Sequence, residues 1–426
     1  MASYKPINLA SMINNPKQAV ILCGGRGTRL KPLTDSTPKP MVKINGKPFL
    51  HYLMEQLSDE GVKDFLLLTG YLKEQISSYF GDANNFDWNI QFSEGPVDWD
   101  TGKRIWEARD KIQERFLLLY SDNYSSFNLS KLLKHHEKFN LPLTLTLVKK
   151  DLGNISINND SIVKNYDKQR AHADSTYVEI GYMLAELGPI LQFFKQPDIS
   201  FTSIISQMVN AKKVSGLIKE DGYHSISDPD RLALTKTYLS NNKIVLIDRD
   251  GTMSTGLPRG EYVSKWEYFE WMPKVKEAMK TLADEGFKFI VISNQAGVAR
   301  GMIAPGELDT ITKNMEKELA ELSIEVLQTY ICPHHWDDGC SCRKPKPGMF
   351  YQASKDWLFR LDRTIFIGDD PRDCQAARNA GCKSIFLGNQ EELLELKDKE
   401  LPMSTHDNLF ESIPSIREFF NRSVNQ

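Results

Sequence analysis

The residues best able to do chemistry fall into three groups. At Asp248-Arg-Asp-Gly-Thr252 two carboxylates lie two residues apart, straight after the apolar run Lys243-Ile-Val-Leu-Ile247. Leaving a strand, both can point into one cleft. Close carboxylates repel, so one tends to be held as an acid while the other, neutralised by Mg²⁺, stays an ionised nucleophile. Further along, Ser293-Asn-Gln295 ends an apolar run, Lys344 lies in Arg343-Lys-Pro345, and Asp369-Asp370 follows Ile365-Phe-Ile-Gly368. The second group is the loop Gly24-Gly-Arg-Gly-Thr-Arg-Leu-Lys-Pro-Leu-Thr34, with Pro38-Lys-Pro-Met41 behind it. Gly24, Gly25, Gly27 and Thr28 let backbone N–H groups come close to phosphate oxygens, and Arg29 and Lys39 supply charge for the β- and γ-phosphates of a nucleoside triphosphate. The third is Cys332-Pro-His-His-Trp-Asp-Asp-Gly-Cys-Ser-Cys342. Cys332, His334, Cys340 and Cys342 suit a closed tetrahedral Zn²⁺ site, with His335 as a bystander. Arg343 and Lys344 follow the last cysteine directly, so a structural zinc would fix the loop that carries them.

Each carboxylate or glycine group must be held by a strand running into a turn and then a helix, which is how parallel α/β domains begin. Ala19–Cys23 leads into the glycine loop and Lys243–Ile247 into the aspartate pair. Apolar runs recur at α/β spacing behind each: Phe65–Thr69, Phe116–Tyr120 and Leu143–Val148, then Phe289–Ser293 and Thr364–Gly368. The fold expected is α/β throughout, as two three-layer α/β domains of Rossmann-like build. Pro229–Leu239 reads as a closing helix and Ser240-Asn-Asn242 as a polar linker, which gives domains 1–240 and 241–426. A chain of 426 residues can bury two such cores. With 41% hydrophobic and 26% charged residues it is an ordinary globular chain. Its net charge of −3 excludes a general binder of nucleic acid or membrane surface. No export signal and no apolar run of ~18–20 residues is present, and three cysteines at zinc spacing point to a reducing, cytoplasmic setting. Cys374 and Cys382 read as buried small residues.

The glycine loop resembles the signature of the sugar-phosphate nucleotidyltransferases, weakly from about Lys17 to Leu239. That resemblance implies in-line attack of a sugar phosphate on the α-phosphate of the nucleotide, with Mg²⁺ and cations supplying most of the catalysis. It implies that Asp122 binds the metal and that Lys168, in Tyr166-Asp-Lys168, contacts the substrate phosphate. The chain departs from the family at Trp99-Asp-Thr-Gly-Lys103 and at Glu179-Ile-Gly181, where asparagine is usual. It departs again at Ser225, in Tyr223-His-Ser-Ile-Ser-Asp228, where a second metal aspartate is expected. Either Asp228 substitutes, or Asp122 and the phosphates hold the metal, or the activity is weakened.

The aspartate pair with Ser293, Lys344 and Asp369 resembles the haloacid dehalogenase superfamily over Lys243–Gly388. On that resemblance Asp248 attacks the phosphoryl group, Asp250 protonates the leaving oxygen and then activates water, and Ser293 and Lys344 hold phosphoryl oxygens. Asp369 completes a Mg²⁺ site with Asp248 and the backbone carbonyl of Asp250. The zinc loop, Arg343-Lys-Pro-Lys-Pro-Gly-Met349 and Asn294-Gln-Ala-Gly-Val-Ala-Arg-Gly301 narrow it to something similar to the heptose 1,7-bisphosphate 7-phosphatases, relatives of histidinol-phosphate phosphatase. These lack a large cap, and Thr252–Met272 leaves no room for one. Asn294, Arg300, Arg343 and Tyr262 would then meet the substrate. The resemblances together imply a bifunctional enzyme: a phosphatase acting on a sugar bisphosphate, and a nucleotidyltransferase joining the sugar phosphate to a nucleotide, guanosine favoured. The alternatives are a cytidylyltransferase for a polyol phosphate, or a phosphatase joined to a degenerate binding module. Nucleotidyltransferases of this type are often homo-oligomers.

Overall fold

A computed structural model describes residues 15–81, 86–167, 174–258 and 260–424. The chain divides into two compact units, Met1–Lys236 and Thr237–Gln426.

Among the described residues of the first unit, nine strands form one mixed sheet. Its centre is Gln18–Cys23, parallel to Asp64–Thr69 on one side and to Arg115–Tyr120 on the other, with Asn89–Glu94 beyond Asp64–Thr69 at one edge. Tyr177–Glu186 runs antiparallel to Arg115–Tyr120 and carries Leu143–Lys149, Val214–Lys219 and a small ribbon on its far side. Val20, Leu22, Leu66, Leu68 and Leu118 pack with Ile105 and Ala108 of the helix Thr101–Ala108 and with Phe201, Ile204 and Ile205 of Phe201–Asn210. Their neighbours Ala19, Ile21, Leu67 and Leu119 are buried as well. Side chains alternate across a strand, so both faces are covered, as a parallel core requires.

The second unit holds a six-stranded parallel sheet in the order Val326–Cys332, Lys288–Asn294, Ile244–Ile247, Ile365–Gly368, Lys383–Leu387, Ser404–His406. The same alternation makes three layers. Val245 and Ile247 join one cluster with the helices Val275–Asp284, Pro305–Glu321 and Leu409–Val424, while Ile244 and Leu246 join the other with Gly348–Trp357 and Pro371–Ala380. Strand order reverses between Ile244–Ile247 and Ile365–Gly368, and at such a switch point the crevice opens beyond the carboxyl ends of the strands. Between Thr252 and Met272 the described residues hold one helical turn, Trp266–Tyr268, and bridges at Ser254. Among the described residues there, no cap domain is present.

Candidate active sites

In the second unit the strand Ile244–Ile247 delivers Asp248 into that crevice and its neighbour Ile365–Gly368 delivers Asp369. Asp248, Asp369 and Asp373 each present a carboxylate oxygen, all within 4.8 Å of one another. Lys344 is buried between them, its Nζ 2.9 Å from Asp248 Oδ1, 2.9 Å from Asp373 Oδ1 and 3.0 Å from the Ile292 carbonyl. Burial alone would lower the Lys344 ammonium, and the two carboxylates more than reverse that. Burial pushes Asp369 up to about 7, with repulsion from Asp373 adding to it, and raises Asp248 well above the ordinary carboxylate range. Three carboxyls thus share one ammonium, and a divalent cation would offset the excess charge, so these residues fit Mg²⁺. Thr252 Oγ1 donates to Asp369 Oδ1 at 2.8 Å. Gly251, at φ +87°, leaves no room for a side chain: a Cβ there would meet Asp369 Oδ2 at 2.0 Å.

Asp250 lies apart from the three carboxylates. Arg249, fully buried, grips it with Nε and Nη2 at 2.9 and 3.0 Å, and Gln295 Nε2 donates to its Oδ2 at 2.5 Å. Burial raises its carboxyl, but these donors outweigh burial and hold it below the ordinary range. Ser293 Oγ accepts from Gln295 Nε2 at 2.8 Å. Asn294 engages the Lys344 backbone at both ends, Oδ1 accepting its N–H at 3.0 Å and Nδ2 donating to its carbonyl at 3.1 Å. Arg300 lies over the rings of Tyr262 and Trp336 and donates to the Gly260 carbonyl, and Arg343 directly precedes the buried lysine.

The strand Val326–Cys332 ends at the cysteine cluster. Cys332 Sγ lies 3.4 Å from Cys342 Sγ and 3.8 Å from Cys340 Sγ, and His334 Nδ1 lies 3.6 and 3.2 Å from the sulfurs of Cys332 and Cys342. A tetrahedron with Zn–S bonds of ~2.3 Å has sulfur–sulfur edges of about 3.8 Å, so the spacing fits a zinc ion. His335 turns instead to Asp337, at 3.3 Å. No cysteine is in a disulfide.

In the first unit Gly24 is buried while Gly25, Thr28 and Arg29 are exposed on the loop. Gly27 sits at φ +64°, where a Cβ would meet that of Lys39 at 2.9 Å. Lys39 Nζ pairs with Asp122 Oδ2 at 2.7 Å. The ribbon pairing His224–Ser225 with Asn123–Tyr124 brings Ser225 beside Asp122, but its Oγ donates to the Asp122 backbone carbonyl at 3.2 Å. Asp228 caps the helix Pro229–Tyr238: its Oδ1 accepts the Arg231 N–H at 3.0 Å, and that bond holds its carboxyl below the usual range. Of these two carboxylates Asp122 is the one not engaged at a helix N-terminus, and its chemistry fits a cation. A cavity of ≈ 340 Å³ is lined by Arg29, Glu179, Asp228 and Arg231 among others. Burial raises Glu179 to about 7, against the pull of the Gly181 N–H on its Oε2 at 2.9 Å. Lys168 lies outside the described residues.

Four residues of these sites were missed by sequence reasoning. Asp373 stands one helical turn beyond Asp369, in the first turn of Pro371–Ala380, where an acidic residue reads as a helix cap. It does accept the Asp370 N–H at 3.2 Å while also holding Lys344. Arg249 and Gln295 lie inside the quoted motifs but carry no spacing signal. In the first unit the buried guanidinium of Arg104 underlies the glycine loop, donating to the carbonyls of Thr69 and Pro96 at 2.6 Å. A Cβ at Gly24 would meet it at 2.2 Å.

Residues 18–223 match the Nucleotidyl transferase family and residues 243–406 the Polynucleotide kinase 3 phosphatase family. The D-glycero-alpha-D-manno-heptose-1,7-bisphosphate 7-phosphatase of Photorhabdus laumondii is 34% identical over 152 residues, which is 34% of this chain and 81% of that protein. A probable glucose-1-phosphate cytidylyltransferase of Bacillus subtilis is 34% identical over 175 residues, 36% of this chain and 68% of that one. A crystal structure of the D,D-heptose 1,7-bisphosphate phosphatase of B. bronchiseptica with magnesium and phosphate is 29% identical, covers 41% of this chain and 98% of its own, and has a TM-score of 0.38. The chain belongs to the nucleotidyl transferases over its first half and to the family of the heptose-bisphosphate phosphatases over its second, and is a bifunctional enzyme of sugar-phosphate chemistry.

Proposed function

We propose that residues 241–426 remove one phosphate from a sugar bisphosphate, heptose 1,7-bisphosphate favoured, and that residues 1–240 join the remaining sugar 1-phosphate to a nucleoside triphosphate, releasing pyrophosphate. The observation that carries this is Lys344, buried between Asp248 and Asp373 with Asp369 beside them, a charge arrangement suited to a phosphoryl group and a dication. Mg²⁺, at Asp248, Asp369 and the Asp250 backbone in one site and at Asp122 in the other, supplies neutralisation of phosphate charge when bound. Asp248 attacks phosphorus, and the bond to the sugar oxygen breaks with its electron pair leaving on that oxygen. Asp250, which its donors leave ionised in the resting chain, takes up a solvent proton as the phosphate enters, gives it to the oxygen, then takes one from the water that hydrolyses the aspartyl phosphate. Ser293 and Lys344 hold the phosphoryl oxygens, Asn294 fixes the Lys344 backbone, and Arg300 and Arg343 face the rest of the substrate. Zn²⁺ at Cys332, His334, Cys340 and Cys342 anchors the loop that presents Lys344. In the transferase Gly24, Gly25, Gly27 and Thr28 cradle phosphates with Arg29 and Lys39, and Lys168 meets the sugar phosphate. Free cysteines at zinc spacing support a cytoplasmic setting.

Guanosine is the favoured base. A second reading, a cytidylyltransferase for a polyol phosphate, is supported by the likeness to the Bacillus subtilis cytidylyltransferase and by Glu179 in the cavity where asparagine is usual. Incubating the protein with each of the four triphosphates and a panel of sugar and polyol phosphates, while following pyrophosphate, separates the two. Pyrophosphate from GTP with a heptose 1-phosphate supports the first, and from CTP with a polyol phosphate the second. Phosphate release from heptose 1,7-bisphosphate tests the other half.

A further inference from the structure

We propose that Gln295, together with Arg249 and Ser254, is a positioning residue of the phosphatase: the three clamp Asp250 from behind so that its carboxyl faces the departing oxygen. This rests on the reading of Asp250 as the group that protonates that oxygen. The two oxygens of Asp250 are held by three N–H donors and by the Ser254 hydroxyl, whose single proton is shared with the Arg249 carbonyl at 3.3 Å. Oδ1 accepts from Arg249 Nε at 2.9 Å and Ser254 Oγ at 3.2 Å, and Oδ2 from Arg249 Nη2 at 3.0 Å and Gln295 Nε2 at 2.5 Å. All three clamp residues are fully buried, whereas the Asp250 side chain keeps 30% of its exposure. The carboxylate is therefore gripped on its protein side and open on the other. Arg249 Nη1 and Gln295 Oε1 are buried without a partner, so the three side chains are held inside at a cost while their remaining hydrogen bonds converge on one partly open group.

Gln295 does what the other two cannot. Arg249 and Ser254 belong to the same turn as Asp250, whereas Gln295 comes from the end of the next strand. Its backbone N–H donates to the Cys332 carbonyl at 2.8 Å and its Nε2 also donates to Ser293 Oγ at 2.8 Å. One amide thus sets Asp250 in register with the hydroxyl assigned to the phosphoryl group. General acid catalysis needs the acid within hydrogen-bond reach of its oxygen, so a loosened clamp costs rate where protonation is needed.

That distinction gives the test. An alkyl oxygen leaves poorly as an anion and needs the proton, whereas p-nitrophenolate and acetate leave without it. The full chain and its Asp250→Asn, Gln295→Met and Ser254→Ala variants are assayed on heptose 1,7-bisphosphate, p-nitrophenyl phosphate and acetyl phosphate. The quantity read is kcat/KM, which covers the steps up to departure of the leaving group. Asp250→Asn should lower kcat/KM for the sugar phosphate by about 100-fold or more and change the other two by only a few fold. Gln295→Met should show the same selectivity at roughly 10-fold, and Ser254→Ala a smaller loss in the same direction. Should Gln295→Met fail to fold, Ser254→Ala carries the same comparison. Equal losses on all three substrates, or no loss, in the clamp variants beside a selective Asp250→Asn would overturn the clamp. A non-selective Asp250→Asn would overturn the reading of Asp250 itself, and the clamp with it.

Discussion

At the scale of single residues, two carboxylates in the first unit separate by what surrounds them. Asp228 is spent on a helix N-terminus, while Asp122 faces Lys39 across the glycine loop. Asp122→Ala should therefore remove nucleotidyl transfer almost completely and leave the phosphatase alone, because the α-phosphate loses the cation that offsets its developing charge. Asp228→Ala should leave most of the activity and lower thermal stability slightly, as losing a cap does. Comparable inactivity in both folded variants, read by pyrophosphate release, would return Asp228 to the metal. Glu179 makes a different statement. It is raised from an ordinary 4.5 to about 7, so between those values the folded chain keeps a proton that the unfolded chain has lost. Stability must then fall as pH rises through that window and level off above it. At ~1.4 kcal/mol per unit the loss is on the order of 3 kcal/mol. Glu179→Gln should match the parent at pH 5 and exceed it at pH 8 in urea midpoint, and parallel pH profiles would refute the assignment.

At the scale of elements, the cysteine loop and the lysine it precedes behave as one part. Lys346 Nζ donates to the carbonyls of Gly339 and Cys340, tying the chain beyond Lys344 back onto the loop. Changing Cys340 and Cys342 to Ser, or stripping zinc with a chelator and then restoring Mg²⁺ alone, should lower phosphatase activity well below that of the parent and spare nucleotidyl transfer. Metal analysis of the parent should return about one Zn²⁺ per chain, and none in freshly purified protein would sink the site. The central strands were legible because burial on both faces writes continuous apolar runs, as in Phe116–Tyr120 and Phe289–Ser293. Asn89–Glu94 was not, because it is an edge strand whose residues are exposed or half-buried and leave no such run. Asp373 and Arg104 were illegible for another reason. Each lies on a helix where charge reads as solvated, and only the fold brings Lys344 to the one and Gly24 to the other. Ser225 was legible as a departure, but its turn toward a backbone carbonyl depends on a ribbon with residues a hundred positions earlier.

At the scale of the whole molecule, each unit has its own sheet and core and each set of site residues lies within one unit. Asp248→Asn should therefore abolish release of phosphate without touching nucleotidyl transfer. Given heptose 1,7-bisphosphate and a nucleoside triphosphate, the parent should make the nucleotide sugar and the variant none, while both should make it from the 1-phosphate. Loss of both activities in a folded variant would show that the sites are not independent. The thiol cluster adds an asymmetry between the halves. With no ion bound, thiols whose sulfurs lie 3.4 Å apart can join by giving two electrons and two protons to oxygen, so a chain stripped of metal in air should link Cys332 to Cys342. Zinc should then bind only after a reductant reopens that bond. Cys23 in the other half is buried, its thiol pushed up to about 12, and stays inert to the same insult. Air oxidation of the metal-stripped chain should therefore lower phosphate release before nucleotidyl transfer, and a reductant should restore it, as the two assays run side by side would show.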